Sequence, residues 1–230
     1  MVTPAELTAL LLSLKVSILA MVIGLPIAIL LGWLLANREF RGKTTLDVLI
    51  HAPLVLPPVV VGYLLLVTFS PGGMIGGFLE NTIGFTPAFT WQGASLAAFI
   101  MALPLMVRTI RLSFEAQNPR LAKAARSLGA TAFKTFYTIT LPLALPGIIA
   151  GGLLGFARAL GEFGATITFV SNIPGMTQTL PLALYSAIQQ PGGEDAALRI
   201  MIFSLVIAFG ALVLSEFLAR RMKKKMEHRA

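Results

Sequence analysis

Long apolar runs separated by short polar segments are the main pattern along this chain. A bilayer crossing takes about 20 apolar residues, so each run is long enough to cross, the third only just. The pattern predicts an all-α integral membrane protein with five transmembrane helices. The runs cover residues 7–36, 46–69, 91–107, 143–170 and 196–219.

The composition agrees with a membrane protein that has one domain. Of the 230 residues, 56% are hydrophobic and 12% are charged, whereas a soluble domain is about half apolar and a quarter charged. Five crossings leave almost nothing for a soluble domain, so we predict one membrane domain over residues 1–230. The chain has no cysteine and only two histidines, His51 and His228. This excludes disulfides, a cysteine nucleophile and thiolate or histidine-rich metal sites.

Lysine and arginine are concentrated in alternate connecting segments. Because basic loops stay in the cytoplasm, their distribution predicts an outer N-terminus and an inner C-terminus, as an odd number of spans requires. The net charge of +8 therefore reflects membrane orientation, and we expect no nucleic-acid partner. Segments 37–45, 108–142 and 220–230 contain three, six and six basic residues, whereas 1–6, 70–90 and 171–195 contain none.

Prolines interrupt the second apolar run at Pro53, Pro57 and Pro58. Each removes a backbone hydrogen-bond donor, and a break inside a membrane needs surrounding protein or a water-lined cavity. Two interpretations stay open. The run is either a kinked helix that serves packing or a pore-lining helix in which Pro57 and Pro58 shape a translocation path or gate.

The fourth run contains a glycine face and two charged residues. Gly147, Gly151 and Gly155 recur every four residues, which predicts close approach of another helix. Arg158 and Glu162 are also four residues apart, so they can pair on one helical face. Ionisable groups in a membrane helix usually face the bundle interior. The pair is therefore either a structural ion pair or an electrostatic element of an anion path or gate.

A short helix is predicted on the outer side. Pro174-Gly175 precedes the apolar residues 182–190 and Pro191-Gly192 follows them, and such residues mark turns. About nine residues are too few to cross a bilayer, so we expect an interfacial or re-entrant helix.

The long cytoplasmic segment contains signals for two short helices. Pro119 suits the first turn of one helix, and Gly129 suits the left-handed residue that ends it. A second helix over residues 131–137 would present three aromatic side chains to the cytoplasm. Exposed aromatic residues among basic ones favour docking of a partner protein. The three aromatic residues are Phe133, Phe136 and Tyr137.

No nucleotide site or catalytic motif is expected in this chain. Gly42-Lys43-Thr44 looks like the end of a P-loop, but Asn37 stands where the first glycine is required. Serine-hydrolase elbows and zinc-protease helices are also absent from the sequence. We therefore predict a non-catalytic membrane subunit.

The same cytoplasmic segment resembles the EAA loop of binding-protein-dependent ABC importer permeases. Ala124-Ala125 is followed after four residues by Gly129, and nine further residues precede Ile139-x-Leu141-Pro142. Lys123 stands where the pattern usually has Glu, the residue that helps hold the coupling helix to the ATPase. The resemblance implies a coupling loop within 108–142 that contacts an ATPase. Its residues are Leu121, Lys123, Ala124, Ala125, Leu128, Gly129, Phe133, Phe136, Ile139, Leu141 and Pro142.

Two further stretches, residues 51–66 and 157–175, resemble the molybdate branch of this family, and residues 158–164 also resemble its sulfate and thiosulfate branches. The resemblance implies a type I ABC importer permease fold and import of molybdate by alternating access. Sulfate, thiosulfate or tungstate import is the alternative, and an ATP-independent channel or carrier is a remote one.

The resemblance also implies the partners of the chain. These are a second copy in a homodimer, two cytoplasmic ATPase subunits, an external molybdate-binding protein and the lipid bilayer. ATP and Mg would be used by the ATPase, and no cofactor is expected on this chain. The expected location is the plasma (inner) membrane of a bacterium or archaeon, as a multi-pass protein.

Overall fold

The computed structural model describes residues 3–227, which form helices and loops without any strand. The predicted all-α fold is thereby confirmed. His228 and Arg229 lie outside the described residues. The helices are α1 (Pro4–Asn37), α2 (Lys43–Val55), α3 (Pro58–Phe69), α4 (Met74–Ile83), α5 (Trp91–Glu115), α6 (Pro119–Ser127), α7 (Ala132–Thr135), α8 (Leu141–Leu160), α9 (Gly164–Val170), α10 (Leu180–Gln189) and α11 (Glu194–Glu227), with a π-helical segment, Phe136–Thr140, between α7 and α8.

Three continuous helices in the described part of the chain are long and apolar enough to cross a membrane. They are Pro4–Asn37, Trp91–Glu115 and Ala132–Leu160. A fourth crossing results if α2 and α3 are counted as one broken span. α11 covers the fifth apolar run and is 34 residues long. The count of five spans and their orientation stay predictions.

The second apolar run forms two helices instead of one. α2 ends at Val55, α3 begins at Pro58, and the two are bent by 115°. Leu56, between them, is extended (φ −72°, ψ 141°). The ring of Pro57 clashes with a helical conformation of the residue before it, which explains the break.

The fourth run is interrupted as well, so a single helix over residues 143–170 was wrong. α8 ends at Leu160, and α9 begins at Gly164. Between them Glu162 turns back, and its Oε1 accepts a hydrogen bond of 2.8 Å from the backbone N–H of Ala165. A side chain that satisfies a free N–H at a helix start stabilises a new helix there.

Small residues pack α1, α5 and α8 into a central bundle. Ala20 and Ala28 of α1 and Ala98 of α5 are completely buried. Such residues let helix backbones approach closely, so that packing contacts hold the bundle together. The glycine face of α8 lies against α5, where Gly147 faces Ser113, Gly151 faces Ile110 and Gly155 faces Met106.

The segment predicted to be cytoplasmic contains one separate short helix, α6, where two were predicted. The expected second helix, residues 131–137, is the beginning of the continuous helix Ala132–Leu160. Pro142 has no N–H to bond the preceding turn. The helix does not end before this proline; its turns widen into the π-helical segment Phe136–Thr140.

The short helix predicted on the outer side is α10, Leu180–Gln189, which begins two residues before the predicted start. Its first residue is fixed to α1, because the N–H of Leu180 donates a 2.6 Å hydrogen bond to Ser13 Oγ. α10 also packs beside α11, with Ala183, Ala187 and Ile200 in a small apolar cluster.

Candidate translocation junction and coupling surface

The breaks in the second and fourth apolar runs lie against each other. A Cβ atom added to Gly62 would stand 2.5 Å from the carbonyl oxygen of Ala165, so α3 and α9 are in backbone contact. At the start of the same helices, a Cβ added to Gly164 would stand 2.7 Å from the Cβ of Pro58. We call this region, residues 56–62 with 158–165, the junction.

An ion pair lies within the junction. Arg158 Nη1 is 2.5 Å from Glu162 Oε2, and the other carboxylate oxygen of Glu162 is bonded to Ala165. The Glu162 side chain is only 2% exposed, whereas that of Arg158 is 30% exposed. One buried carboxylate therefore connects the end of α8, through Arg158, with the start of α9. The pair spans the end of α8, because Arg158 lies in its last turn and Glu162 lies two residues beyond its last residue, Leu160.

The junction brings together the four residues proposed from the sequence as a pore or gate. Pro58 contacts Gly164, and Glu162 bonds Ala165, which in turn contacts Gly62. Pro57 and Pro58 are exposed on the surface of this chain. The arrangement combines an exposed backbone break with a partly exposed cation whose charge is neutralised by a buried carboxylate.

Enlarging Gly62 tests the backbone contact at the junction. We expect Gly62→Val to lower the Tm of the detergent-solubilised protein by roughly 5 °C or more, because the added atoms must displace the α9 backbone. Gly210→Ala is the matched control, since Gly210 also lies inside a helix but its Cβ would meet nothing within 4 Å. Equal Tm values for Gly62→Val and wild type would contradict this packing.

The coupling surface consists of α6 and the residues that follow it. α6 contains no buried residue, and Gly129 has φ +86°, the left-handed conformation that ends a helix. Two large apolar side chains project from this surface: Leu128 is 89% exposed and Phe133 is 73% exposed. Tyr137 packs against Phe133 in a tilted arrangement, with a ring-centroid distance of 4.6 Å and an angle of 49° between the ring planes. An exposed apolar ridge of this kind is suited to docking a protein.

Phe136 does not belong to the exposed ridge, which corrects the sequence-based interpretation. It is half-buried and makes an edge-to-face contact with Trp33 of α1, with centroids 5.6 Å apart. Its ring therefore fastens the coupling segment to the bundle instead of facing a partner. Gln117 adds a second attachment, because its Nε2 donates a 2.9 Å hydrogen bond to Thr140 O.

The remaining coupling-loop residues divide into two groups. Three of the α6 residues named from the sequence are exposed, and these are Leu121, Lys123 and Ala124. The half-buried group consists of Ala125 in α6, Ile139 in the π-helical segment, and Leu141 and Pro142 in the first turn of α8. The first group can touch a partner, and the second supports the loop.

Sequence reasoning missed a cluster of charged groups between α2 and α5. Arg111 Nη1 is 3.0 Å from Asp47 Oδ2, and Arg111 Nε is 2.7 Å from Glu115 Oε1. Together with His51 these residues line a cavity of about 410 Å³. The local signals were two four-residue spacings, Asp47 with His51 and Arg111 with Glu115. The contact between the two pairs has no local signal, because 64 residues separate Asp47 from Arg111.

Residues 3–227 contain no group of three or more His, Asp or Glu side chains placed to hold a metal ion.

The profile of a family described as "Binding-protein-dependent transport system inner membrane component" matches residues 24–224. The chain belongs to this family. Among curated members, the molybdenum transport system permease protein ModB of Escherichia coli K12 is 56% identical over 223 residues, covering 97% of each chain. The sulfate transport system permease protein CysT of Salmonella typhimurium is 34% identical over 197 residues, covering 84% of this chain and 71% of the other.

A solved bacterial alginate ABC transporter, in complex with alginate pentasaccharide-bound periplasmic protein, has the same fold. Its matching chain gives a TM-score of 0.78 at 20% identity, covering 96% of this chain and 81% of the other. The likeness confirms the predicted ABC importer permease fold. This member of the inner membrane component family is therefore a multi-pass transport component.

Proposed function

We propose that this chain is the transmembrane permease subunit of an ATP-driven importer that moves molybdate from an external binding protein to the cytoplasm. The observation that carries the proposal is the similarity to molybdenum permeases, which extends over nearly the whole chain at more than half of all positions. The sulfate permease is similar over a smaller part of the chain and at fewer positions. This difference favours molybdate over sulfate or thiosulfate.

In this proposal the junction forms part of the translocation path and the mechanism is alternating access. Irregular backbone at membrane depth is tolerated where it is enclosed by protein or lines a water-filled cavity. The paired breaks at Pro57, Pro58 and residues 161–163 supply such backbone, and Arg158 supplies a cation near it. Arg158 is partly exposed and would attract an oxyanion, while Glu162 offsets its charge, so that the oxyanion is not held too tightly to leave.

The proposed assembly is a homodimer of this chain with two cytoplasmic ATPase subunits and an external binding protein, in the plasma (inner) membrane. The ATPases would bind the coupling surface and would use ATP and Mg, whereas this chain would bind no cofactor. Closure of the ATPase pair would move α6, and with it α5 and α8, so that the path opens outward. The chain would thus be a non-catalytic subunit forming one domain.

Uptake by the reconstituted complex tests the proposed function. In proteoliposomes containing the permease, its ATPase and ATP, we expect accumulation of radiolabelled molybdate that requires the binding protein. A tenfold excess of sulfate, a smaller oxyanion of the same charge, should leave this uptake unchanged, while tungstate, which matches molybdate in both charge and size, should compete. Sulfate uptake in place of molybdate would establish the alternative substrate, and accumulation without ATP would establish a channel or carrier.

A further inference from the structure

α2 is attached to the rest of the chain by few contacts. Ile50 is its only buried residue. By contrast, α3 buries Val61, Gly62 and Leu65, and its backbone touches α9 at the junction. The two halves of the broken run thus differ in how firmly they are held. A weakly held helix that ends at a proline break can rotate about that break.

The principal polar connection of α2 is made by Arg111 of α5. Arg111 Nη1 donates a 3.0 Å hydrogen bond to Asp47 Oδ2, while its Nε donates one of 2.7 Å to Glu115 Oε1. Glu115 lies one turn further along α5 and accepts the hydrogen bond from Arg111 Nε, which restricts the orientation of the planar guanidinium group. Nη1 of the same guanidinium group is thereby directed towards Asp47 of α2.

The backbone of Arg111 is part of the rigid bundle. A Cβ added to Gly32 of α1 would stand 3.2 Å from the backbone nitrogen of Arg111 and 3.1 Å from Ile110 Cγ2. α1 and α5 are therefore in close contact at this level, and Arg111 can act as a fixed point. Asp47, on the lightly packed helix, is the movable partner.

The same region of α5 leads directly to the coupling surface. α5 ends at Glu115, and α6 begins at Pro119 after Asn118, whose side chain accepts a hydrogen bond from Arg120 N. A displacement of α6 is therefore transmitted first to the helical turn that contains Arg111 and Glu115. The Asp47–Arg111 pair therefore connects α5, which leads to α6, with α2, the first half of the broken run.

We propose that Arg111 is a positioning residue that holds α2 against α5 through Asp47, and that opening of this pair lets α2 pivot at Leu56 and Pro57 during transport. The groups around the pair are His51, whose Nδ1 lies 3.1 Å from Asp47 Oδ1, and Arg108, which lines the same cavity. The part of the proposal that concerns transport rests on the proposed function. The part that concerns attachment of α2 does not.

Cysteine labelling measures the attachment of α2 without any transport assay. The chain has no native cysteine, so a single Ile50→Cys replacement reports how often the buried face of α2 opens. In the assembled complex, Asp47→Asn or Arg111→Gln should raise the rate of its modification by a membrane-permeant maleimide about fivefold, as expected for loss of a partly exposed ion pair. Unchanged rates in both variants would overturn the proposal.

Two controls separate this effect from general loosening. Lys43→Gln removes the ion pair of Lys43 with Glu39, which is 2.6 Å long, at the beginning of the same helix. It should leave the Ile50→Cys rate unchanged. Val107→Cys places the label in the fully buried core of α5. If labelling there rose as much as at position 50, the bundle as a whole would be loosened and the proposal would be wrong.

A reversible cross-link tests whether the pair opens during transport. Val48 and Leu112 line the cavity from α2 and α5 and are both exposed. Joining cysteines at these positions with a reducible bifunctional reagent should stop molybdate uptake, and reduction should restore it. A cross-link between cysteines at 39 and 43 should have no effect. Undiminished uptake through a complex fully cross-linked at 48 and 112 would refute the pivot.

The two proposals fail in different ways. If wild-type complex imports no molybdate, the proposed function is wrong, while the labelling of Ile50→Cys still decides whether Arg111 holds α2. If wild type imports molybdate but labelling is unaffected by Asp47→Asn and Arg111→Gln, only the positioning role is lost.

Discussion

Replacing Phe133 by aspartate is expected to abolish binding of the ATPase while leaving the chain inserted in the membrane. Phe133 is 73% exposed and packs against Tyr137, so it presents an apolar anchor on the coupling surface. Anchors of this kind contribute about 2–4 kcal/mol or more to an interface, and a buried charge in their place is strongly unfavourable. Co-purification of the ATPase with tagged permease from membranes measures the effect.

Phe40→Asp is the matched control for this experiment. Phe40 is an exposed phenylalanine in the connection between α1 and α2, outside the coupling surface. The predicted topology places it on the same side of the membrane as Phe133. We expect it to retain its ATPase, so that a loss confined to Phe133→Asp identifies the surface. A full complement of ATPase on Phe133→Asp would disprove the docking role of the ridge.

Gly129 offers an independent test of the same surface. Its φ of +86° is unfavourable for a β-branched residue, although a Cβ there would meet nothing within 4 Å. Gly129→Val should therefore displace Leu128 and Phe133 relative to α6 and weaken ATPase binding, whereas Gly129→Asn should be tolerated, since asparagine adopts this conformation. Equal binding by both variants would show that the turn at Gly129 does not position the ridge.

The second large effect is expected at Glu162. Glu162→Gln keeps an oxygen that can accept the hydrogen bond from Ala165 N but leaves Arg158 without its counter-charge. Removing one partner of a buried ion pair is strongly destabilising; Arg158 is partly exposed, which reduces the effect. We expect molybdate uptake to fall about tenfold or more. Uptake should be normalised to the amount of folded permease, measured by size-exclusion chromatography.

Normalisation separates the two interpretations that the sequence left open. A structural ion pair predicts fewer folded molecules with normal uptake per molecule, whereas an element of the anion path predicts lower uptake per folded molecule. The double variant Arg158→Glu with Glu162→Arg restores an ion pair and should therefore recover part of the loss. Recovery should be incomplete, because an arginine at position 162 cannot accept the hydrogen bond from Ala165 N. If the exchange recovers nothing over the single variants, the pair is not the reason for the loss.

Several parts of the fold could be predicted because they depend on neighbouring residues. Helix α6 begins at Pro119 and ends before Gly129 as expected, since capping and backbone preferences act over a few residues. The short helix α10 lies between its proline and glycine turns for the same reason. The apolar runs indicated membrane helices because crossing length depends on composition alone.

Other features could not be predicted because they depend on contacts between distant parts of the chain. The prolines of the second run were compatible with a kink or a break, and the 115° bend is seen only in the structure. Phe136 appeared equivalent to Phe133 in the sequence, but Trp33, about a hundred positions earlier, covers its ring. Glu162 was assigned to a continuous helix because the hydropathy of the fourth run does not reveal the turn at Gly161.

The sequence by itself determined that the chain is a helical membrane protein, where the short helix α6 lies and which family it belongs to, because these follow from apolar length, local helix signals and motif spacing. Only the tertiary structure decided that the two interrupted runs meet at Pro58 and Gly164 and that Arg111 reaches Asp47. The backbone contact between α3 and α9 and the ion pair between α2 and α5 both depend on how the helices pack in three dimensions. That arrangement has no signature in local sequence.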